Sequence, residues 1–134
     1  MISAAERDAL VGAAIAIREK AYVPYSNYQV GAAILGVDRQ IYTGVNVENA
    51  SYGLTQCAER NAIAHAVSRG VKTGELMTMV VYVPGDKPWP PCGACRQVLV
   101  EMMSPEGEVI SVCDGPGRRT WPVNALMPEP FLPD

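Results

Sequence analysis

Three cysteines in two separate segments have the spacing of a metal site. Cys92 and Cys95 are three positions apart, so in the first turn of a helix their thiols lie on one side. This geometry suits two thiolates on a tetrahedral Zn²⁺, and Cys57 can supply a third thiolate. Three protein ligands leave one coordination position open for water, as in catalytic zinc sites, whereas structural zinc sites are normally closed by four ligands.

A carboxylate accompanies the first of these cysteines. Glu59 follows Cys57 by two positions, which on a regular helix would turn it roughly 200° away. Both side chains can face one metal only if Cys57 lies at the start of the helix with a non-helical backbone. Two helix N-termini, with Arg60 and Arg96 beside the ligands, would offset the charge of three thiolates. Such a site could deprotonate water and, with Glu59 moving protons, attack a carbon that carries an amine leaving group.

Both cysteine segments open predicted helices in a chain that alternates helices and strands. Apolar spacing and turn residues predict helices over 3–21, 57–70 and 92–103, and strands over 30–35, 41–45, 76–83, 109–113 and 119–123. Helices that alternate with buried strands predict an α/β fold, in which helices cover the faces of one sheet. The proline-rich residues 127–134 are expected to form an extended flap.

Composition and charge exclude several classes of protein. The chain has 134 residues, and we expect residues 1–134 to form a single domain. Its formal net charge of −3 offers no basic surface for nucleic acid or for an anionic membrane. No apolar stretch reaches the ~20 residues that span a bilayer, and the N-terminal residues lack the pattern of a signal peptide. We therefore expect a cytoplasmic protein, whose cysteines serve as metal ligands or catalytic groups rather than disulfides.

The motifs of the chain resemble those of the small cytidine deaminases over nearly its whole length. Cys57-Ala58-Glu59 and Pro91-Cys92-Gly93-Ala94-Cys95 match the all-cysteine form of the zinc deaminase signature, a ligand-x-Glu element followed by Pro-Cys-x-x-Cys. Further motifs follow the family's order and spacing: Tyr25-Ser26, Val30-Gly31-Ala32-Ala33, Asn46-Val47-Glu48-Asn49-Ala50-Ser51-Tyr52, Arg96-Gln97-Val98-Leu99 and Leu126-Met127-Pro128…Phe131.

The resemblance implies a cytidine deaminase-like fold, with a mixed sheet of about five strands covered by helices on both faces. It implies one zinc ion per subunit on Cys57, Cys92 and Cys95. The implied reaction is hydrolysis of cytidine and deoxycytidine to uridine and deoxyuridine, by attack of zinc-bound hydroxide on C4 with release of ammonia. Glu59 would protonate N3 and pass a proton to the ammonia, and Arg60 would hydrogen-bond the ligand sulfurs.

The same resemblance implies which residues bind the nucleoside. Asn46 and Glu48 would hold the ribose 3′-hydroxyl, and the backbone N–H of Ala58 would meet the base. Tyr28 stands where many relatives carry a phenylalanine against the base. The residues that would complete a neighbouring subunit's site, in a homotetramer with shared active sites, are Ala50, Tyr52 and Phe131.

Other departures from the family pattern leave the substrate open; they are Gln29, Val45, Trp89 and Pro90. One alternative is therefore a deaminase of a modified cytosine nucleoside, such as an N4-substituted cytidine or a blasticidin-type antibiotic. A second alternative is a catalytically silent, zinc-stabilised assembly protein, against which the intact Glu59 argues.

Two alternatives to a catalytic zinc site apply to the cysteines. Cys92 and Cys95 also fit a thioredoxin-like dithiol, but that interpretation leaves Cys57 unexplained. A structural zinc site would need a fourth ligand, for which only Cys113 and His65 remain. We expect both of these residues to have structural roles, since Cys113 lies in an apolar strand and His65 lies well beyond Glu59 along its helix.

Overall fold

The computed structural model describes residues 2–133 and shows one mixed sheet between two layers of helices. The elements are α1 (Ala4–Ile17), β1 (Gly31–Gly36), β2 (Ile41–Val45), α2 (Ala58–Ser68), β3 (Leu76–Tyr82), α3 (Gly93–Met102), β4 (Met103–Val112) and β5 (Arg118–Pro122). This order confirms the predicted alternation of helices and strands. Met1 and Asp134, the ends of the expected domain, lie outside the described residues.

The sheet has five strands in the order β2-β1-β3-β4-β5. Only β3 and β4 are parallel, and the three other pairs are antiparallel. The central strand β3 is almost entirely buried, which explains its continuous apolar sequence. Because parallel neighbours need a crossover connection, the chain passes through α3 between them, and this crossover carries two of the predicted metal ligands.

The helices divide between the two faces of the sheet, as predicted. Leu10 and Ala14, four positions apart on one side of α1, are buried with Val80 on the first face. α2 and α3 cover the opposite face, where Ala62 and Leu99 belong to the larger apolar cluster. The two cysteine-bearing helices therefore lie side by side on the same face of the sheet.

A glycine allows α2 to lie directly against β2. A Cβ atom at Gly44 would lie 2.3 Å from the nitrogen of Ala62 and 2.5 Å from the carbonyl oxygen of Ala58. Next to it, Nδ2 of Asn61 donates a hydrogen bond to the carbonyl of Val45 at 2.8 Å. The first turns of α2 are thus fixed to the end of β2, from which residues 46–48 continue.

Two boundaries differ from the sequence-based prediction. α1 ends at Ile17, and Arg18–Lys20 continue it only as a 3₁₀ turn. β4 begins at Met103 rather than at 109, directly after α3. A Cβ atom at Gly107 would lie 2.2 Å from the carbonyl oxygen of Met77, so the glycine permits a close approach between two strands. The pattern of one strand alone could not indicate that contact.

The prolines predicted an extended flap for the last part of the chain, and the structure shows an irregular segment with bends at residues 128 and 129. Residues 127–133 contain neither helix nor strand, and Phe131 is 80% exposed. Among residues 2–133, no helix has both the length and the apolar character needed to cross a membrane.

Candidate functional site

The three cysteines of the predicted zinc site come together in the structure. The Sγ atoms of Cys57, Cys92 and Cys95 all lie within 4.8 Å of one another. Cys57 is the N-cap of α2 and Cys92 is the N-cap of α3, while Cys95 is buried in the first turn of α3. Both helices therefore direct their N-terminal ends toward the thiols, and the positive end of each helix dipole favours thiolates there.

The backbone at Cys57 is non-helical, as is needed for Cys57 and Glu59 to face one metal ion. Its φ of −76° and ψ of 152° are extended, so Cys57 precedes the helix and Glu59 lies in the first helical turn. Glu59 is only 6% exposed. Burial raises the pKa of its carboxyl to about 7, and the negative charge of the nearby Cys57 thiolate also raises that pKa. The carboxyl thus lies beside the sulfur cluster in a site that excludes most water.

Arg60 stabilises the negative charge of the cluster. Its Nη2 donates to Sγ of Cys57 at 3.4 Å. Hydrogen bonds from the Cys95 thiol and from Arg60 lower the pKa of Cys57 to about 5, although burial opposes this shift. The same contact with Cys57 raises the pKa of the Cys95 thiol, which acts as the donor of the pair. The predicted contact between Arg60 and a ligand sulfur is therefore present in the geometry.

The donor set fits one zinc ion. Three thiolate sulfurs within reach of a single ion are ligands that zinc prefers, and two helix N-termini together with Arg60 offset their charge. No other His, Cys, Asp or Glu in the described part of the chain joins this cluster. A zinc ion held by these three thiolates would have a coordination position available for water or substrate, as catalytic zinc chemistry requires.

The two other candidate ligands lie elsewhere. The thiol of the buried Cys113 lies 3.7 Å from the carbonyl oxygen of Gly115, within a turn. Nδ1 of His65 lies 3.1 Å from the carbonyl oxygen of Thr43, and the imidazole packs edge-on against Tyr42. Both residues therefore have the structural environments that the sequence analysis expected.

The predicted ribose-binding residues lie on a short segment that is joined to the metal centre. Residues 46–48 form isolated β-bridges with Tyr22 on one side and with Gln56 on the other. Gln56 directly precedes Cys57, so main-chain hydrogen bonds connect the segment to a metal ligand. Asn46 and Glu48 alternate with the exposed Val47, and both side chains contact the connection between α1 and β1.

The Asn46 side chain fixes the chain beside Tyr28. Its Oδ1 accepts a hydrogen bond from the N–H of Val30 at 3.0 Å, and its Nδ2 donates to the carbonyl of Tyr28 at 2.7 Å. A carboxamide can make four hydrogen bonds, so these two contacts leave one donor and one acceptor site for another partner. Tyr28 itself is 39% exposed, and burial of the rest of the side chain raises the pKa of its phenol.

Glu48 is held by residues for which the sequence analysis gave no role. Its carboxylate accepts hydrogen bonds from the backbone N–H groups of Tyr25 and Ser26 and from the Ser26 hydroxyl. The hydroxyl contact, followed by the two N–H groups, keeps the pKa of Glu48 below its usual range. Glu48 also lines a cavity of about 220 Å³, together with Tyr52 and Thr55. Glu48 is therefore an ionised carboxylate at the wall of a cavity.

The other predicted substrate contacts differ in exposure. Ala58 is fully buried at the first position of α2, next to the cluster. Ala50 is exposed, Tyr52 is 73% exposed and its ring centroid lies 5.6 Å from that of Tyr25. Phe131 is also largely exposed, although its backbone carbonyl accepts a hydrogen bond from Nε2 of Gln97. The aromatic rings of Tyr52 and Phe131 are thus presented outward from this chain.

The Arg96 side chain hydrogen-bonds backbone carbonyls and not a sulfur. Arg96 was expected to stand beside the metal ligands and to offset their charge. Its Nε instead donates to the carbonyl of Pro91 at 2.9 Å, and its Nη1 donates to the carbonyl of Leu126 at 3.2 Å. The sequence shows that Arg96 is close to Cys95, but the acceptor on Leu126 is 30 positions away and has no local signal.

Comparisons with known proteins agree with this geometry. The family model described as the cytidine and deoxycytidylate deaminase zinc-binding region matches residues 5–110. The cytidine deaminase of Halalkalibacterium halodurans is 48% identical over 104 residues, which are 78% of this chain and 77% of that protein. A probable cytidine deaminase of Dictyostelium discoideum is 43% identical over 128 residues, or 94% of this chain and 84% of its own.

The similarity extends to three dimensions. The crystal structure of cytidine deaminase from Burkholderia pseudomallei superposes with a TM-score of 0.89 at 45% sequence identity. The superposition covers 92% of this chain and 98% of that one. The sheet, both cysteine-bearing helices and the connections between them therefore belong to a shared architecture.

Proposed function

The chain belongs to the cytidine and deoxycytidylate deaminase family, and on that premise we propose that it hydrolyses cytidine and deoxycytidine to uridine and deoxyuridine. The observation that carries the proposal is the buried Glu59 carboxyl beside the clustered thiols of Cys57, Cys92 and Cys95. A hydrolytic deamination needs an activated water, a group that moves protons and a site that excludes bulk solvent. This arrangement offers the residues for each of these.

The proposed mechanism gives each residue near the cluster a separate task. Zinc, when held by the three thiolates, supplies a water molecule of lowered pKa as the nucleophile. Glu59 would take one proton from the attacking water and give it to N3 of the cytosine ring, and then take the proton of the new hydroxyl on C4 and give it to the departing amine. Arg60 would keep the Cys57 sulfur oriented, and the N–H of Ala58 would hydrogen-bond the base. Burial of Glu59 supports its assignment, because few water molecules compete for its proton.

The sugar would be recognised by the segment after β2. We assign the ribose 3′-hydroxyl to Asn46, which has one donor and one acceptor site to spare, and to the ionised Glu48. Tyr28 would form a wall against the base. A carboxylate close to the sugar repels a phosphate group, so the proposed substrates are nucleosides rather than nucleotides.

We further propose a homotetramer in which neighbouring chains complete one another's sites. The support is the outward presentation of two large aromatic side chains, since Tyr52, which lines the cavity beside Glu48, is 73% exposed and Phe131 is 80% exposed. Aromatic residues that are exposed on a single chain are typical of surfaces that become the buried centres of interfaces when chains assemble. In this assembly Ala50, Tyr52 and Phe131 would contact the ligand of an adjacent chain. Each subunit would be one catalytic domain, residues 1–134, of a cytoplasmic enzyme.

The test is a spectrophotometric assay of the zinc-loaded protein with cytidine, deoxycytidine and an N4-substituted cytidine, combined with measurement of released ammonia. The proposal expects turnover of the first two substrates with one ammonia per nucleoside. Turnover of the N4-substituted analogue alone would favour the modified-nucleoside alternative. A fully loaded protein that turns over none of the three would favour the silent assembly protein.

A further inference from the structure

Arg96 connects two parts of the chain that lie far apart in sequence. It follows Cys95 on α3, and its guanidinium donates hydrogen bonds to the carbonyls of Pro91, at 2.9 Å, and Leu126, at 3.2 Å. Pro91 directly precedes the metal ligand Cys92, and Leu126 is the point from which the C-terminal segment, residues 126–133, departs. One side chain therefore holds both the residue before a metal ligand and the start of this segment.

The contacts of Arg96 are of a kind that a smaller donor could not replace. Pro91 is buried and Leu126 is only 2% exposed, so their carbonyl groups depend on a donor from the protein. The planar guanidinium presents several N–H groups in a fixed fork and can serve two acceptors at once, whereas the lysine ammonium is a single point. The geometry thus uses a property that is specific to arginine.

A second contact of the same helix holds the other part of the segment. Gln97, next to Arg96, donates a hydrogen bond from Nε2 to the carbonyl of Phe131 at 2.7 Å. Adjacent residues of α3 therefore fasten the C-terminal segment at Leu126 and at Phe131. The backbone around Phe131 is held in place while its ring remains exposed.

We propose that Arg96 is a positioning residue for the deamination reaction. Its guanidinium fixes the C-terminal segment, and with it Phe131, relative to Pro91. The inference rests on the proposed function, in which Phe131 covers a bound nucleoside in an adjacent chain. Arg96 acts through the segment and not through the thiols, to which Arg60 already donates. Without Arg96 the segment is released, nucleoside binding weakens, and the metal centre and Glu59 stay in place.

The kinetic test is a double-mutant cycle with Arg96→Gln and Phe131→Ala in the full-length, zinc-loaded protein. Each single substitution should raise KM for cytidine roughly tenfold and change kcat by no more than about twofold, since only binding by the segment is lost. The double variant should raise KM no further than either single variant. Compared with Arg96→Gln, Arg96→Lys should recover part of the lost binding, because the lysine keeps a long side chain and a positive charge that can donate to one of the two carbonyls.

A second readout does not depend on activity. Chymotrypsin cleavage of the Phe131–Leu132 bond, followed by mass spectrometry of the intact chain, should be faster in Arg96→Gln than in the wild type, at unchanged zinc content. Arg118→Gln, on the exposed strand β5, is the matched control and should change neither KM nor the cleavage rate. If Arg96→Gln does not fold, Arg96→Lys replaces it in both measurements, with smaller changes of the same sign.

The outcomes separate this inference from the proposed function. The positioning role of Arg96 would be overturned by any of three results. These are equal cleavage rates for the wild type and Arg96→Gln, loss of zinc from Arg96→Gln, and a KM of the double variant that is the product of the two single effects. A wild type that releases no ammonia from cytidine, while Arg96→Gln still speeds cleavage, would overturn the proposed function and support the role of Arg96 in holding the segment.

Discussion

Val47 and Gln56 exchange two backbone hydrogen bonds, each with an N···O distance of 2.9 Å. Val47 lies between Asn46 and Glu48, and Gln56 directly precedes Cys57, so this one bridge joins the proposed sugar-binding segment to the proposed metal centre. The spacing between the two is therefore set by main-chain geometry. Side-chain substitutions in one region should leave the other region in place, which allows the following predictions to be tested separately.

The metal ligands can be distinguished from the fourth cysteine. We expect Cys113→Ser to retain about one zinc per chain, because Cys113 lies outside the sulfur cluster, in the apolar core, with its thiol against the carbonyl groups of a nearby turn. Cys95→Ser should lose the metal, since it removes one of three ligands. Metal content measured by plasma mass spectrometry after gel filtration checks both variants. A Cys113→Ser protein without zinc would show that the ligand set is assigned incorrectly.

The role of Glu59 predicts a loss of turnover without a loss of structure. Glu59→Gln keeps the size of the buried side chain but cannot exchange a proton, so kcat for cytidine should fall by ~10²–10⁴. Zinc content and the far-ultraviolet circular dichroism spectrum should match the wild type. Glu101→Gln, an exposed carboxylate on α3, serves as the control and should be fully active. Normal turnover by zinc-loaded Glu59→Gln would contradict the mechanism.

Glu48 predicts discrimination against phosphorylated substrates. Hydrogen bonds from Ser26 and Tyr25 lower the pKa of Glu48, so the carboxylate stays ionised at neutral pH and repels a phosphate on the sugar. We expect kcat/KM for cytidine to exceed that for cytidine monophosphate by roughly tenfold or more. Glu48→Gln should lower kcat/KM for cytidine and should bring it closer to kcat/KM for cytidine monophosphate. The control is Glu19→Gln, an exposed residue just after α1, which should change neither quantity. A preference of the wild type for the monophosphate would refute the assignment.

Shared active sites predict recovery of activity in mixed oligomers. Chains that carry Glu59→Gln would still contribute Phe131 to the active site of a neighbouring chain. Chains truncated after Met127 would still contain Glu59 in their own active site. Each protein alone should be inactive or weak, and mixing them after partial unfolding and refolding should restore part of the activity. Native mass spectrometry of differently labelled chains would establish that subunits have exchanged. No recovery after proven exchange, or a fully active monomer, would contradict the shared-site assembly.

The metal centre and the element order could be predicted from the sequence because their signals are local. Cys92 and Cys95 are separated by one helical turn, and the two-residue offset of Glu59 from Cys57 requires the N-cap backbone that the structure shows. The alternation of apolar runs and turn residues indicated an α/β sheet with helices on both faces. The meeting of Cys57 with Cys92, 35 positions later, is the exception, and the resemblance to the cytidine deaminases implied it.

The features that escaped prediction depend on contacts between distant segments. The partner of Glu48 is Ser26, 22 positions away, and the early start of β4 depends on how closely Gly107 approaches Met77. The hydrogen-bond partners of the Arg96 guanidinium also escaped prediction, since one of them is the carbonyl of Leu126, 30 positions away. In each case the residue type was visible, but its partner was chosen by the packing of the sheet and helices.

The close approach at Gly44 affects how a screen of random variants of this protein should be interpreted. Any side chain at this position would collide with the backbone of α2 at Ala58 and Ala62 and push away the helix turn that carries Glu59. Substitutions at Gly44 would therefore be recovered as null alleles, as would those at Glu59, although glycine takes no part in the chemistry. Zinc content and thermal stability would have to be measured for such alleles before an intolerant position is counted among the catalytic ones.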